Sequence, residues 1–242
     1  MTGAPTTRHD RRAPRRYWVA VLAALVALLA IAVALLGYEV FDGASSSEGL
    51  QGSGVAATET RELAAFTGVE LAGSNIVTIR VGGEQSIVVH ADDNLLSQVT
   101  TEVDAGTLLV GNAPGSFTTK SPMRVDVIVP TLDALTLAGS GIVSATEIRT
   151  PSLTVDLSGS GVVRLSGLAT QLDVSLTGSG DAQLEQLIAQ EVHAIVSGSG
   201  RILVTATKSL DASVPGSGAI MYRGNPEQVT TNISGTGAIT RG

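Results

Sequence analysis

LTLAGSG (Leu135–Gly141), VDLSGSG (Val155–Gly161), VSLTGSG (Val174–Gly180), AIVSGSG (Ala194–Gly200), ASVPGSG (Ala212–Gly218) and TNISGTG (Thr231–Gly237) are six copies of one short pattern. Their first glycines, at 139, 159, 178, 198, 216 and 235, are spaced by 20, 19, 20, 18 and 19 residues. A fixed period of that size marks a stacked repeat architecture. Counting back from the first glycine, the sixth, fourth and second residues are apolar in nearly every copy, as with Leu172, Val174 and Leu176. Asp133 and Thr231 are the exceptions. The fifth and third residues are mostly polar, and this period of two belongs to a strand with one buried face.

Alternation resumes beyond the second glycine. Val143, Val163, Ala182, Ile202, Ile220 and Ile239 are followed two residues on by Ala145, Leu165, Leu184, Val204 and Tyr222, and then by further apolar residues such as Ile148, Leu168 or Leu187. Each repeat therefore holds at least two strands. One unit has a single apolar side and cannot bury it alone, so coils must stack, with backbone hydrogen bonds running from coil to coil at about 4.8 Å. The expected fold is all-β: a right-handed parallel β-helix, or β-solenoid, of about 19 residues per coil.

The paired glycines Gly139 and Gly141, Gly159 and Gly161, Gly178 and Gly180, Gly198 and Gly200, Gly216 and Gly218, and Gly235 and Gly237 are expected at sharp corners. A Cβ there would stack on its copy in the next coil, and positive φ is expected. The serines and threonine between them can form a hydroxyl ladder along the corner.

Upstream, Tyr17 to Tyr38 lacks any charge, and its core VAVLAALVALLAIAVALL (Val19 to Leu36) would span roughly 27 Å as a helix at about 1.5 Å per residue. Residues 17–38 are therefore expected to form a transmembrane helix that precedes the solenoid. Arg8, Arg11, Arg12, Arg15 and Arg16 make 1–16 a cytoplasmic tail and place the C-terminal part outside the membrane. The apolar run exceeds that of a cleaved secretory signal, and Gly43-Ala44-Ser45 is a weak cleavage site, so the anchor is expected to persist. Residues 39–62, rich in Gly and Ser, read as a flexible spacer. Residues 63–242 form the extracytoplasmic domain, with irregular coils over 63–132 and regular repeats over 133–242. Asp92 opens a segment, with Leu95, Leu96 and Val99 at helical spacing, that predicts a short helical turn.

LAGSN from Leu71, SPMRVDVIVPTLDALTLAGSG and the later GSG corners resemble a bacterial family of unknown function, labelled putative auto-transporter adhesin, head GIN domain. The resemblance covers about residues 64 to 242. It implies a β-helical extracytoplasmic domain, and adhesion through the label alone. No outer-membrane barrel is expected by Gly242, so autotransport is not carried over.

The absence of cysteine excludes disulfides, a lipoprotein thiol and cysteine metal sites. The part outside carries 10 basic and 21 acidic side chains, net −11, which disfavours nucleic acid as a partner. Gly-Ser-Gly followed by strands, six times over, is architecture and not a phosphate cradle. Asp181 after Gly180 resembles a calcium-binding repeat, but only one copy has the aspartate.

Asp173, His193 and Asp211 each lie five residues before a corner glycine, in one outward column. They form either a solvated charge ladder or a site for a divalent metal or acid–base chemistry. His90, beside Asp92 and Asp93, is a second metal candidate. No cofactor is expected, and no catalytic triad can be assembled.

The reading is a non-enzymatic, adhesin-like surface module for an unknown envelope partner, with a hydrolase on the solenoid face as the alternative. A third reading is an envelope structural or signalling element coupled through the Arg-rich tail to a cytoplasmic partner or to anionic lipid. The last coil lacks a polar cap, so end-to-end self-association is expected to be open to it.

Overall fold

The computed structural model describes residues 49–242. The tail at 1–16, the helix at 17–38 and the first part of the spacer lie outside the described residues, among which no helix is long and apolar enough to cross a membrane.

The strands are β1 (Leu50–Gln51), β2 (Ala56–Thr60), β3 (Gly68–Gly73), β4 (Ile76–Val81), β5 (Ser86–Asp92), β6 (Val99–Asp104), β7 (Thr107–Asn112), β8 (Phe117–Thr118) and β9 (Arg124–Val129). They continue with β10 (Ala134–Gly139), β11 (Ile142–Gly159), β12 (Val162–Gly178), β13 (Asp181–Val196) and β14 (Arg201–Val214). The last three are β15 (Ala219–Arg223), β16 (Gln228–Ile233) and β17 (Ala238–Arg241).

The repeats stack in the register of their glycines. Leu137 pairs with Leu157, which pairs with Leu176, and all these ladders are parallel. The chain is a β-solenoid. Its core is the inward set of the period-two pattern, with Leu135, Leu137, Leu153, Leu157, Leu172, Leu176 and Leu184 at 0–1% exposure. An inward side chain on one coil lies against its copies above and below, so each added coil removes apolar surface from water on both neighbours.

LAGSN seeds the stack. β3 pairs with β10 so that Gly73 lies under Gly139, and β4 pairs with the first part of β11. Between β4 and β10 the chain departs to build the N-terminal end. There β9 pairs antiparallel with β5, β5 antiparallel with β2, and β7 antiparallel with β6. The expected helical turn is a 3₁₀ segment, Asp93–Gln98, with Leu95 fully buried.

Three expectations require correction. Residues expected within the flexible spacer form β1 and β2, held by backbone pairing to β8 and β5. Their side chains are nearly all exposed, so the apolar pattern that reveals the other strands is missing here. Leu168 does not face the core and is 46% exposed. Gly167 takes the inward position, paired with Ile148 and Leu187, and so moves Leu168 to the outer side. Val229 and Ile233 occupy inward columns but are 43% and 46% exposed, because among the described residues no coil covers β16.

All six first glycines are close-approach sites. A Cβ on any of them would come within the 3.0 Å of the preceding coil's backbone that real Cβ atoms essentially never reach. Positive φ is confined to Gly139, Gly159 and Gly178, while Gly198, Gly216 and Gly235 stack as closely without it. In the seeding coil Asn75 takes the place of the second glycine. It is buried, and its side-chain amide donates to Gly111 O at 3.3 Å and Asn112 Oδ1 at 2.9 Å.

Candidate interaction face

The strand that enters each corner turns alternate residues outward, and parallel stacking sorts these into columns with neighbours about 4.8 Å apart. Asp173, His193 and Asp211 are direct register partners, followed by Thr230 in the last coil. Two residues upstream runs a second column, Gln171, Glu191, Ser209 and Gln228. Together they line an open groove of about 330 Å³.

The groove holds one histidine–carboxylate contact and one clamp. His193 Nδ1 lies 3.4 Å from Asp211 Oδ2, with the two side chains 45% and 57% exposed. A pair so wet contributes at most about 1 kcal/mol. Asp173 is held by its own strand instead, because Gln171 Nε2 donates to its Oδ2 at 2.9 Å. Among the described residues no three His, Cys, Asp or Glu side chains converge in a way that could hold a metal ion.

The second column was missed in the sequence although the same alternation reveals it. Extending the period of two from the fifth to the seventh residue before the last four corner glycines lands on Gln171, Glu191, Ser209 and Gln228.

On the strand leaving the corner, Asp181 and Arg201 are register partners. Arg201 Nη2 donates to Asp181 Oδ2 at 3.0 Å, and Gln183 Nε2 donates to the same oxygen at 2.8 Å. Partial burial pushes the Asp181 carboxyl up, but the hydrogen bonds from Arg201 and Gln183 outweigh it and hold the group below the usual carboxylate range. Asp181 is thereby occupied by a cation of its own chain. Arg164 Nε extends the chain of contacts to Gln183 Oε1 at 3.0 Å.

His90 does not meet Asp92 or Asp93. Its Nε2 lies 2.9 Å from Asp126 Oδ2, which Arg124 Nη2 also approaches at 3.0 Å, while neighbouring Asp92 turns inward. There Asp92 is fully buried and accepts from Lys120 N at 2.8 Å and from Ser121 Oγ at 2.7 Å. These bonds, that from Lys120 N first, hold its carboxyl below the usual range. Strand alternation alone would put His90 and Asp92 on one face; they part because Asp92 stands at the 3₁₀ entry where the backbone turns.

The corner hydroxyls of Ser140, Ser160, Ser179, Ser199 and Ser217 point to solvent. The one hydroxyl bond between corners is that of Thr236 Oγ1 to Ser217 Oγ at 2.9 Å, and backbone bonds such as Ser160 N to Gly139 O join the rest.

The family model for putative auto-transporter adhesin, head GIN domain matches residues 65–226, from the seeding coil to the fifth corner and beyond. The chain belongs to that family. As a head GIN domain it shares its fold with a crystallised putative adhesin of Bacteroides fragilis, at 22% identity and a TM-score of 0.67, over 80% of this chain and 100% of the other. A crystallised putative lipid-binding protein of Parabacteroides distasonis matches at 21% identity and a TM-score of 0.55, over 80% and 99% of the two chains. No curated protein matches the chain by sequence. The head GIN membership makes this an adhesin-like domain.

Proposed function

We propose that this chain is a membrane-anchored, non-enzymatic binding module, held by residues 17–38, that presents its solenoid outside the membrane to a component of the cell envelope. The observation that carries the reading is the groove of Gln171, Asp173, Glu191, His193, Ser209 and Asp211, in which hydrogen-bonding groups repeat at coil spacing over several coils. A polymer with its own repeat of polar groups can match such a row over its length, because register in the solenoid fixes the spacing of every donor and acceptor. Catalysis by positioned carboxylates is disfavoured by the same groove, since His193 and Asp211 stand about half in water, where an oriented dipole is screened.

The test displays the full chain on cells of its native host and measures their retention on immobilised envelope from that host. The triple change Asp173→Ala, Glu191→Ala and Asp211→Ala is expected to reduce retention to that of cells lacking the protein. Asp181→Ala, on the other strand, should leave it intact. Equal retention of the triple variant and the wild type would sink the reading.

A further inference from the structure

The coil formed by β16 and β17 differs from every coil beneath it. β16 pairs with β14 and β17 with β15, and among the described residues neither has a strand on its outer edge. Val229 and Ile233 stand in the columns of Leu210 and Val214, which are at most 2% exposed. This coil therefore presents both halves of what stacks the solenoid: an unpaired backbone edge and an apolar inner column.

What covers such a surface must offer an edge of the same length beside an apolar column of the same spacing, and β16 itself is such an edge. Charge favours the same occupant. Gln228 to Gly242 contains no acidic residue in a chain of net charge −7. Its single cation, Arg241, is tied back to Gly224 O at 2.9 Å and Asn225 Oδ1 at 3.0 Å. Two copies of an acidic protein thus meet here with the least repulsion.

The register is self-consistent as well. Ser234 N donates to Val214 O in the coil below, so by strand alternation the backbone groups of Gln228, Thr230 and Asn232 turn toward β14. Those of Val229, Thr231 and Ile233 point off the free edge. An antiparallel pairing centred on Thr231 sets Thr231 against Thr231 as a hydrogen-bonded pair, with Val229 against Ile233 as the next such pair on each side. It also lays Val229 over Ile233 on the core side.

We propose that a second copy of this chain covers the coil, the two molecules meeting about a two-fold axis through Thr231 with β16 antiparallel to its counterpart. The pair is closed. The same surface serves both molecules, so the two-fold contact closes on itself, and the opposite end of each solenoid is built from different strands, β2, β5 and β6. The contact uses the edge and inner column of β16, while the outward Gln228 and Thr230 of the same strand line the end of the groove.

The cysteine-free sequence gives a direct test. Thr231→Cys in the full-length chain, oxidised mildly in membranes or detergent, is expected to give a disulfide-linked dimer, because the two Cα atoms of a hydrogen-bonded pair, about 5.5 Å apart, stand within disulfide reach. The control is Thr177→Cys, equally exposed but on the side of the solenoid. Cross-linking at 231 should exceed that at 177 by on the order of tenfold or more, because pairing raises the effective concentration. Adding Val229→Asp and Ile233→Asp should abolish the excess while the far-UV circular dichroism stays that of the parent, since both residues are exposed in the single molecule. Equal cross-linking at 231 and 177, a ladder of species larger than a dimer, or an excess that survives the two aspartates overturns the proposal.

Discussion

The two ends of the solenoid solve the same problem differently. At the N-terminal end the chain reverses, and β2, β5 and β6 run antiparallel to their neighbours while the 3₁₀ segment seats Leu95 beneath them. Ile87, Val89, Leu95 and Val99 there are all at most 1% exposed. At the C-terminal end the repeat continues unchanged to β17, and its apolar columns stand open in Val229 and Ile233. In a one-dimensional stack each coil is stabilised by its neighbours, so a residue's worth depends on how many coils touch it as well as on its type.

The sharpest way to break that comparison is to place the same change at equivalent corners. Gly159→Ala puts a Cβ against Gly139 O at a φ of +117°. Backbone strain and overpacking together should cost about 3 kcal/mol or more. Gly235→Ala collides with Gly216 in the same way, but it has an ordinary φ and no coil above to hold it in place. The last coil can lift, and the loss should stay near 1 kcal/mol or below. Equal losses in chemical denaturation would show that the end coil is as constrained as the middle.

The next effect in size comes from the core columns. Leu137→Ala removes a fully buried side chain and should cost about 2–5 kcal/mol. Ile233→Ala, in the same column, should stay within about 0.5 kcal/mol at concentrations where copies do not pair, as for other exposed sites. A large loss at Ile233 under dilute conditions would mean that the column is covered within a single molecule.

The contrast between the ends also explains what could be read in advance. Six glycine pairs fixed the register, and with it the inward columns and the row of Asp173, His193 and Asp211, because parallel stacking carries one position onto the next. The N-terminal closure was not readable, since a strand such as AATET (Ala56–Thr60) is held by its backbone and buries little that a hydropathy pattern could show. Leu168 misled because Gly167 holds an inward position without a side chain, so the count of apolar residues slipped by one. Side-chain contacts stayed hidden for another reason. Asp173 had two candidate partners at similar reach, His193 across the coils and Gln171 along the strand, and rotamer choice between them is not a matter of spacing.

The N-terminal closure depends on one buried carboxylate, which yields a test by pH. Asp92 has a folded pKa held below the 3.8 of the free group by donors from Lys120 and Ser121. Its contribution is therefore present above pH 3.8 and is lost as pH falls through the lower folded value. Asp92→Asn should lower the thermal midpoint at neutral pH, and the gap from wild type should close on acidification below that window. Amide hydrogen exchange at Lys120 and Ser121 should quicken in the variant, while the C-terminal coil remains unaffected.

The smallest effect belongs to the groove. His193 and Asp211 are about half exposed and 3.4 Å apart, and removing either leaves the other free to hydrate. His193→Ala should thus change unfolding free energy by no more than about 0.5 kcal/mol, and added salt should shrink even that. Glu191 and Asp173 then remain as carboxylates on neighbouring coils without the imidazole beside them. A loss of 2 kcal/mol or more would mean that the column braces the solenoid, and the groove would lose its claim to be a surface kept free for a partner.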